Sequence, residues 1–189
     1  MDLTKLFLDS IKNSKEYDEA MNIMAVNSID EGWIVGGFVF RNLAGKLYGK
    51  EIKQKDIDIA TNTLPKELKA PQGWTIIKTR FDTPRFIQDG GSFHVDLFTL
   101  SSFSSIRIKK LAPTIDNYLS GVSLNIQSIV FDIKNKKILG ESGIQALLNK
   151  EVKINNLENA EYSFEKAGIS ISEAIKKKAF ALGFKAVIP

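Results

Sequence analysis

Across residues 33–47 the spacing of apolar side chains changes at a pair of glycines, and that change restricts the fold more than any other feature. Trp33, Ile34 and Val35 form a short apolar run that ends at Gly36-Gly37. Beyond it, Val39, Leu43 and Leu47 recur every four residues. The first pattern fits a buried strand and the second a helix, so the glycines mark a strand-to-helix turn. Such a unit needs a sheet for its strand and an apolar layer for its helix. Downstream, Asp56-Ile57-Asp58-Ile59 alternates with period two, as a strand with one buried face does. Residues 74–79 and 94–100 read as further strands, with Asp89-Gly90-Gly91 as a turn before the second. Near the N-terminus, Leu6, Phe7 and Ile11, then Tyr17, Ala20, Met21 and Met24, recur at helical spacing. The expected fold class is mixed α/β (α+β), a mixed sheet with flanking helices.

The remaining elements are read from end signals. Thr63 before Leu64-Pro65 predicts an N-cap with proline in the first turn of a short helix. Residues 124–131 and 138–139 flank Lys134-Asn135-Lys136, which predicts a hairpin. Gly140 and Gly143 are expected to seat the helix that follows them rather than to form a phosphate loop. Ser170-x-x-Glu173 is a capping-box pattern, and Gly183 is placed to stop the helix it opens. Trp33 and Trp74 are expected in the core. The polar stretch 155–162 suggests a boundary, with a main domain at 1–155 and a helical C-terminal extension at 156–189.

Composition excludes several classes of function. With 43% hydrophobic residues in 189, the chain can bury a core, so disorder is excluded. The absence of cysteine removes disulfide scaffolds, thiolate nucleophiles and Cys-ligated metals. The single histidine, His94, cannot form a histidine metal cluster by itself. The longest apolar run, residues 33–40, is too short to span a bilayer. The N-terminus lacks a cationic head followed by an apolar stretch, so no membrane partner and a cytoplasmic location are expected. The net charge of +4 is compatible with phosphate-bearing partners.

The chemistry concentrates on one constellation. Residues two apart in a strand share a face, so Asp56 and Asp58 point together while Ile57 and Ile59 face a core. Paired carboxylates repel, and at neutral pH they need a cation between them or a raised pKa. The natural cation for an all-oxygen site is Mg²⁺ or Mn²⁺. On the later strand His94, Asp96 and Phe98 share a side, which makes Asp96 a candidate third ligand. Three carboxylates can hold two hard cations that clamp both oxygens of an in-line displacement at phosphorus. Gly36 and Gly37 let backbone N–H groups at a helix N-terminus approach a triphosphate. The only arginines are Arg41, Arg80, Arg85 and Arg107. Arg80 and Arg85 flank a turn and suit either a phosphate clamp or surface ion pairs. His94 reads as a polar neighbour of the carboxylates or as a participant beside them. Lys176-Lys177-Lys178 reads as a solvated helix face or as an RNA contact.

With these residues in hand, the sequence resembles the DNA polymerase β-type nucleotidyltransferase superfamily. Within it, the likeness is to the head domain of bacterial poly(A) polymerases and tRNA CCA-adding enzymes. It rests mainly on residues 33–45, with Gly36-Gly37, and on Asp56-Ile57-Asp58-Ile59-Ala60-Thr61. Weaker echoes lie at 126–132 and at 174–185, the latter resembling the helix that opens the family's neck. The resemblance implies a palm-like catalytic fold, metal-binding roles for Asp56, Asp58 and Asp96, and nucleotide-binding roles for Gly36, Gly37, Arg41, Arg80 and Arg85. It also implies an NTP substrate, with ATP favoured, and Mg²⁺ or Mn²⁺ as cofactor. Two departures stand out. The family's arginine and aspartate after Gly-Gly fall on Phe40 and Arg41, and its later Arg-Asp pair appears as Val122-Ser123.

Two functions follow as expectations. The first is transfer of a nucleoside monophosphate from an NTP to an acceptor hydroxyl by a two-metal mechanism. The acceptor would be an RNA 3′ end, a small molecule or a protein, with a partner chain or homodimer completing the acceptor site. The second is a non-catalytic module on the same fold that binds nucleotide, RNA or protein.

Overall fold

The computed structural model describes residues 1–50, 54–79 and 81–189. The chain forms two compact units, Met1–Thr99 with Phe131–Ile138, and Leu100–Val130 with Leu139–Pro189. The expected boundary stretch at 155–162 lies within the second unit.

The first unit begins with α1 (Leu3–Ile11), capped by Asp2, which accepts a hydrogen bond from the Lys5 N–H at 3.0 Å. Leu3, Phe7 and Ile11 make its buried stripe. Helix α2 (Lys15–Val26) follows, with Ser14 accepting from the Tyr17 N–H and Ala20, Ile23 and Met24 buried. Then come β1 (Trp33–Val35), α3 (Gly37–Tyr48), β2 (Asp56–Thr61), β3 (Trp74–Lys78), β4 (Pro84–Gln88) and β5 (His94–Thr99). After the long excursion through the second unit, β6 (Val130–Asp132) and β7 (Lys137–Leu139) complete the sheet. Its order is β3-β4-β5-β2-β1-β6-β7. β1 pairs antiparallel with β2, β2 pairs parallel with β5, and β4 is antiparallel to both β3 and β5. The mixed α/β expectation holds.

Alternation along the strands divides the sheet into two faces. Ile34, Ile57, Ile59, Phe86, Val95 and Leu97 are fully buried. Asp56, Asp58, His94 and Asp96, at the alternate positions, are half-buried. Phe7 packs edge-on to Phe38 and at 4.8 Å from the ring of Phe131, which joins α1, α3 and β6 in one apolar cluster. Trp74 is buried as expected, whereas Trp33 is only half-buried.

Two local expectations need correction. The helix expected after Thr63 does not form, and residues 62–73 are irregular. The backbone there is instead held by Asn27, whose amide donates to the Lys69 carbonyl and accepts from the Lys69 N–H at 2.7 Å. The strand expected over 124–131 is shorter. A 3-10 turn at Asn125–Gln127 precedes β6, and the 134–136 turn then leads into β7.

The second unit contains α4 (Ser104–Lys109), α5 (Ile115–Gly121), α6 (Glu141–Asn149), β8 (Glu151–Val152), α7 (Leu157–Lys166), α8 (Ile171–Leu182) and β9 (Lys185–Ala186). Strands β8 and β9 pair in parallel across the α7–α8 crossover. Ser170 caps α8 by accepting from the Glu173 N–H, and Gly183 ends it in the left-handed conformation. At the start of α6 the Gly143 N–H donates to the Ser128 carbonyl, so this glycine-bounded segment seats a helix, as expected. No helix among the described residues is long and apolar enough to cross a membrane.

Candidate active site

The turn after β1 brings the site together. Val35 is paired with Asp58, so the chain leaves β1 directly beside the Asp58 carboxyl. Gly36 takes φ +65° and ψ −130°, a conformation that a side chain resists, and a Cβ there would lie 3.5 Å from Asp58 Oδ2. Gly37 opens α3, and the Arg41 guanidinium, one turn further on, folds back over it. A Cβ on Gly37 would fall 2.6–2.8 Å from the guanidinium atoms. From that position Arg41 Nη2 donates to Asp56 Oδ1 at 2.5 Å, and Nε donates to Gln54 Oε1 at 2.9 Å.

The register of β2 and β5 sets Asp58 opposite Asp96 and Asp56 opposite His94. The three carboxylates expected together therefore lie on one sheet face. Strand β4 adds Arg85 opposite Asp96. Arg85 donates from Nε and Nη2 to the two Asp96 oxygens, both at 2.7 Å. Arg80 lies outside the described residues. His94 is half-buried, and its ring makes no hydrogen bond among the described residues.

Asp58 is the electrostatic centre. No hydrogen bond reaches its carboxylate among the described residues. Burial pushes its pKa up to about 7, and the charges of Asp56 and Asp96 add to the rise, while Arg41 and Arg85 pull it down. The group is thus poised between a proton and a cation at neutral pH. The Arg85 pKa is raised in turn, first by its hydrogen bonds to Asp96. Among the described residues no group of three acidic or histidine side chains is arranged to hold a metal ion. Two of the three carboxylates on this face are paired with guanidinium groups. The donor set still suits a hard divalent cation, because it consists of carboxylate oxygens and one member, Asp58, has no hydrogen-bond partner among the described residues.

In the second unit Ser123 is buried and accepts a hydrogen bond from Asn159 Nδ2 at 3.2 Å. Lys176 and Lys177 are exposed on α8. Sequence reasoning missed the Arg41–Asp56 and Arg85–Asp96 pairs and the Gln54 contact. Only the strand register, which brings residues 85 and 96 opposite each other, carries a signal for the second pair.

No family model matches the sequence, and no curated protein matches it. Solved structures are similar. A CCA-adding enzyme in complex with ATP superposes with a TM-score of 0.55 at 18% identity, covering 84% of this chain and 37% of that one. The Thermotoga maritima CCA-adding enzyme complexed with tRNA gives 0.54 at 14% identity, covering 95% and 46%. The Bacillus stearothermophilus enzyme in complex with CTP gives 0.50 at 21% identity, covering 80% and 36%. The chain spans less than half the length of these enzymes, and what it shares with them is a fold. It has the fold of the matched part of these CCA-adding enzymes.

Proposed function

We propose that this protein is a metal-dependent nucleotidyltransferase that moves a nucleoside monophosphate from an NTP to an acceptor hydroxyl, with an RNA 3′ end as the acceptor. One observation carries the reading: the Gly36 turn opens the N-terminus of α3 directly beside Asp58 and Asp56. Anion-binding backbone and cation-binding carboxylates thereby meet at one point. The fold shared with enzymes solved with ATP, CTP and tRNA supports the same substrates here.

The roles follow from the geometry. Backbone N–H groups at Gly37 and the following turn receive the triphosphate, favoured by the helix dipole. Arg41, already lying over Gly37, grips a phosphate oxygen once it leaves Asp56. Asp56 and Asp58 would hold Mg²⁺ or Mn²⁺, which would supply Lewis acidity at the acceptor hydroxyl and positive charge near the pyrophosphate. The acceptor oxygen bonds to the α-phosphorus, its proton passes to solvent, and the bond from the α-phosphorus to the bridging oxygen breaks. The protein contributes position and charge rather than covalent chemistry.

A second reading draws on a different observation. Arg41 and Arg85 already neutralise two of the three carboxylates without a metal. That arrangement suits a module that binds nucleotide and does not transfer it. Incubation with each α-labelled NTP, Mg²⁺ or Mn²⁺, and total RNA or protein lysate separates the two. Label entering RNA supports the transferase. Label that binds the protein and is recovered as intact NTP supports the binding module. Label entering protein or a small molecule keeps the transferase and changes its acceptor.

A further inference from the structure

The two arginine–carboxylate pairs differ in a way that bears on how many cations the site accepts. Arg85 grips Asp96 with a fork, using both carboxylate oxygens. Both residues sit on adjacent paired strands, so the sheet register itself holds the fork in place. The Asp96 side chain is only 15% exposed, which leaves little water to compensate its carboxylate if the pair opens. Arg41 touches only one oxygen of Asp56, reaches it from a helix, and leaves Asp56 35% exposed. Asp58 has no partner among the described residues.

We infer that this chain holds one divalent cation, between Asp56 and Asp58, and that Arg85 serves as a fixed cation on Asp96 where a second metal would otherwise be needed. Asp96 is then a positioning partner of Arg85 and not a metal ligand. Charge balance leads to the same count. Of the three negative charges, Arg85 cancels one, and a single divalent cation cancels the other two. Arg41 is thereby released from Asp56 with its full charge available for the triphosphate. With both guanidinium groups counted, one divalent cation brings the site to a net +1, and a second would bring it to +3 before any nucleotide arrived. The inference rests on the proposed function, because it concerns the same carboxylates.

The test is binding of Mn²⁺ to the full chain, followed by loss of the free-ion paramagnetic resonance signal. The wild type is expected to bind one Mn²⁺ per chain in the micromolar to millimolar range. Asp56→Asn and Asp58→Asn should each weaken that site at least tenfold, and Asp96→Asn should change it less than threefold. Arg85→Gln, which leaves Asp96 free to ligate, should raise the number of sites from one to two, and Arg85→Lys, which keeps the charge, should leave it at one. Two comparable sites in the wild type would overturn the inference and leave the transferase reading standing. So would an Asp96→Asn loss as large as that of Asp58→Asn. No Mn²⁺ binding to the wild type, with or without NTP, would overturn both. The wild-type stoichiometry and the Asp96→Asn affinity do not depend on whether the Arg85 variants fold.

Discussion

Replacing Asp58 with asparagine should stabilise the metal-free protein, and more so as the pH rises. In the folded chain the Asp58 pKa lies near 7, against an ordinary value of 3.8. Below pH 3.8 both folded and unfolded forms carry the proton, and the group has no pH dependence. Between 3.8 and about 7 the unfolded chain is ionised while the folded chain keeps its proton, so stability falls as pH rises. Above about 7 both forms are ionised and the loss is complete. At about 1.4 kcal/mol per pH unit, the change from pH 5 to pH 8 comes to about 3 kcal/mol. This is a ceiling, because the carboxyl retains some contact with solvent. Asparagine has the same shape and no titration, so it lacks this slope. For a chain of this size the ceiling corresponds to roughly 6–12 °C in Tm. Thermal melts of both proteins in EDTA at pH 5 and pH 8 measure it, since groups that do not interact with Asp58 cancel in the difference. The variant should gain on the wild type between the two pH values. A gap that stays constant, or that favours the wild type at pH 8, would refute the argument. Adding Mg²⁺ at pH 8 should raise the Tm of the wild type and leave that of the variant nearly unchanged.

The remaining predictions concern the same turn and strand. Asp58→Ala should abolish nucleotide transfer with an unchanged circular dichroism spectrum, and transfer at the wild-type rate would reject the assigned site. Gly36→Ala should cost about 1–3 kcal/mol in urea denaturation, because the residue must keep a positive φ. Arg41→Ala should change stability by less than about 1 kcal/mol, since the half-buried Asp56 can turn to solvent when the guanidinium is removed. The same variant should weaken NTP binding at least tenfold in a fluorescence titration with a labelled nucleotide.

Much of this site can be read in the sequence because its parts are local. The change of spacing at Gly36-Gly37 and the alternation of Asp56-x-Asp58 each fall within one element, where period alone assigns a face. The mutual repulsion of the carboxylates also follows from spacing, and it adds to the rise in the Asp58 pKa that burial begins. The guanidinium partners are not legible in the same way. Asp96 and Arg85 meet only because β4 pairs with β5, and β4 begins at Pro84 and lacks the clean alternation that marks β2. The pairing of Arg41 with Asp56 depends on a helix reaching back over its own first residue. Thr63 misled for another reason. The segment after it offers only Leu64 and Leu68 as half-buried apolar groups, too few to hold a helix, while Asn27 supplies its backbone with competing partners.

The most direct test of the account is an anomalous difference map from crystals soaked with Mn²⁺ and a non-hydrolysable NTP. A manganese peak bound by Asp56 and Asp58 is expected, with the triphosphate at Gly36, Gly37 and the first turn of α3, and Arg41 turned from Asp56 to a phosphate oxygen. Manganese and nucleotide bound away from these residues, or a triphosphate approached only by side chains with the N-terminus of α3 untouched, would contradict it.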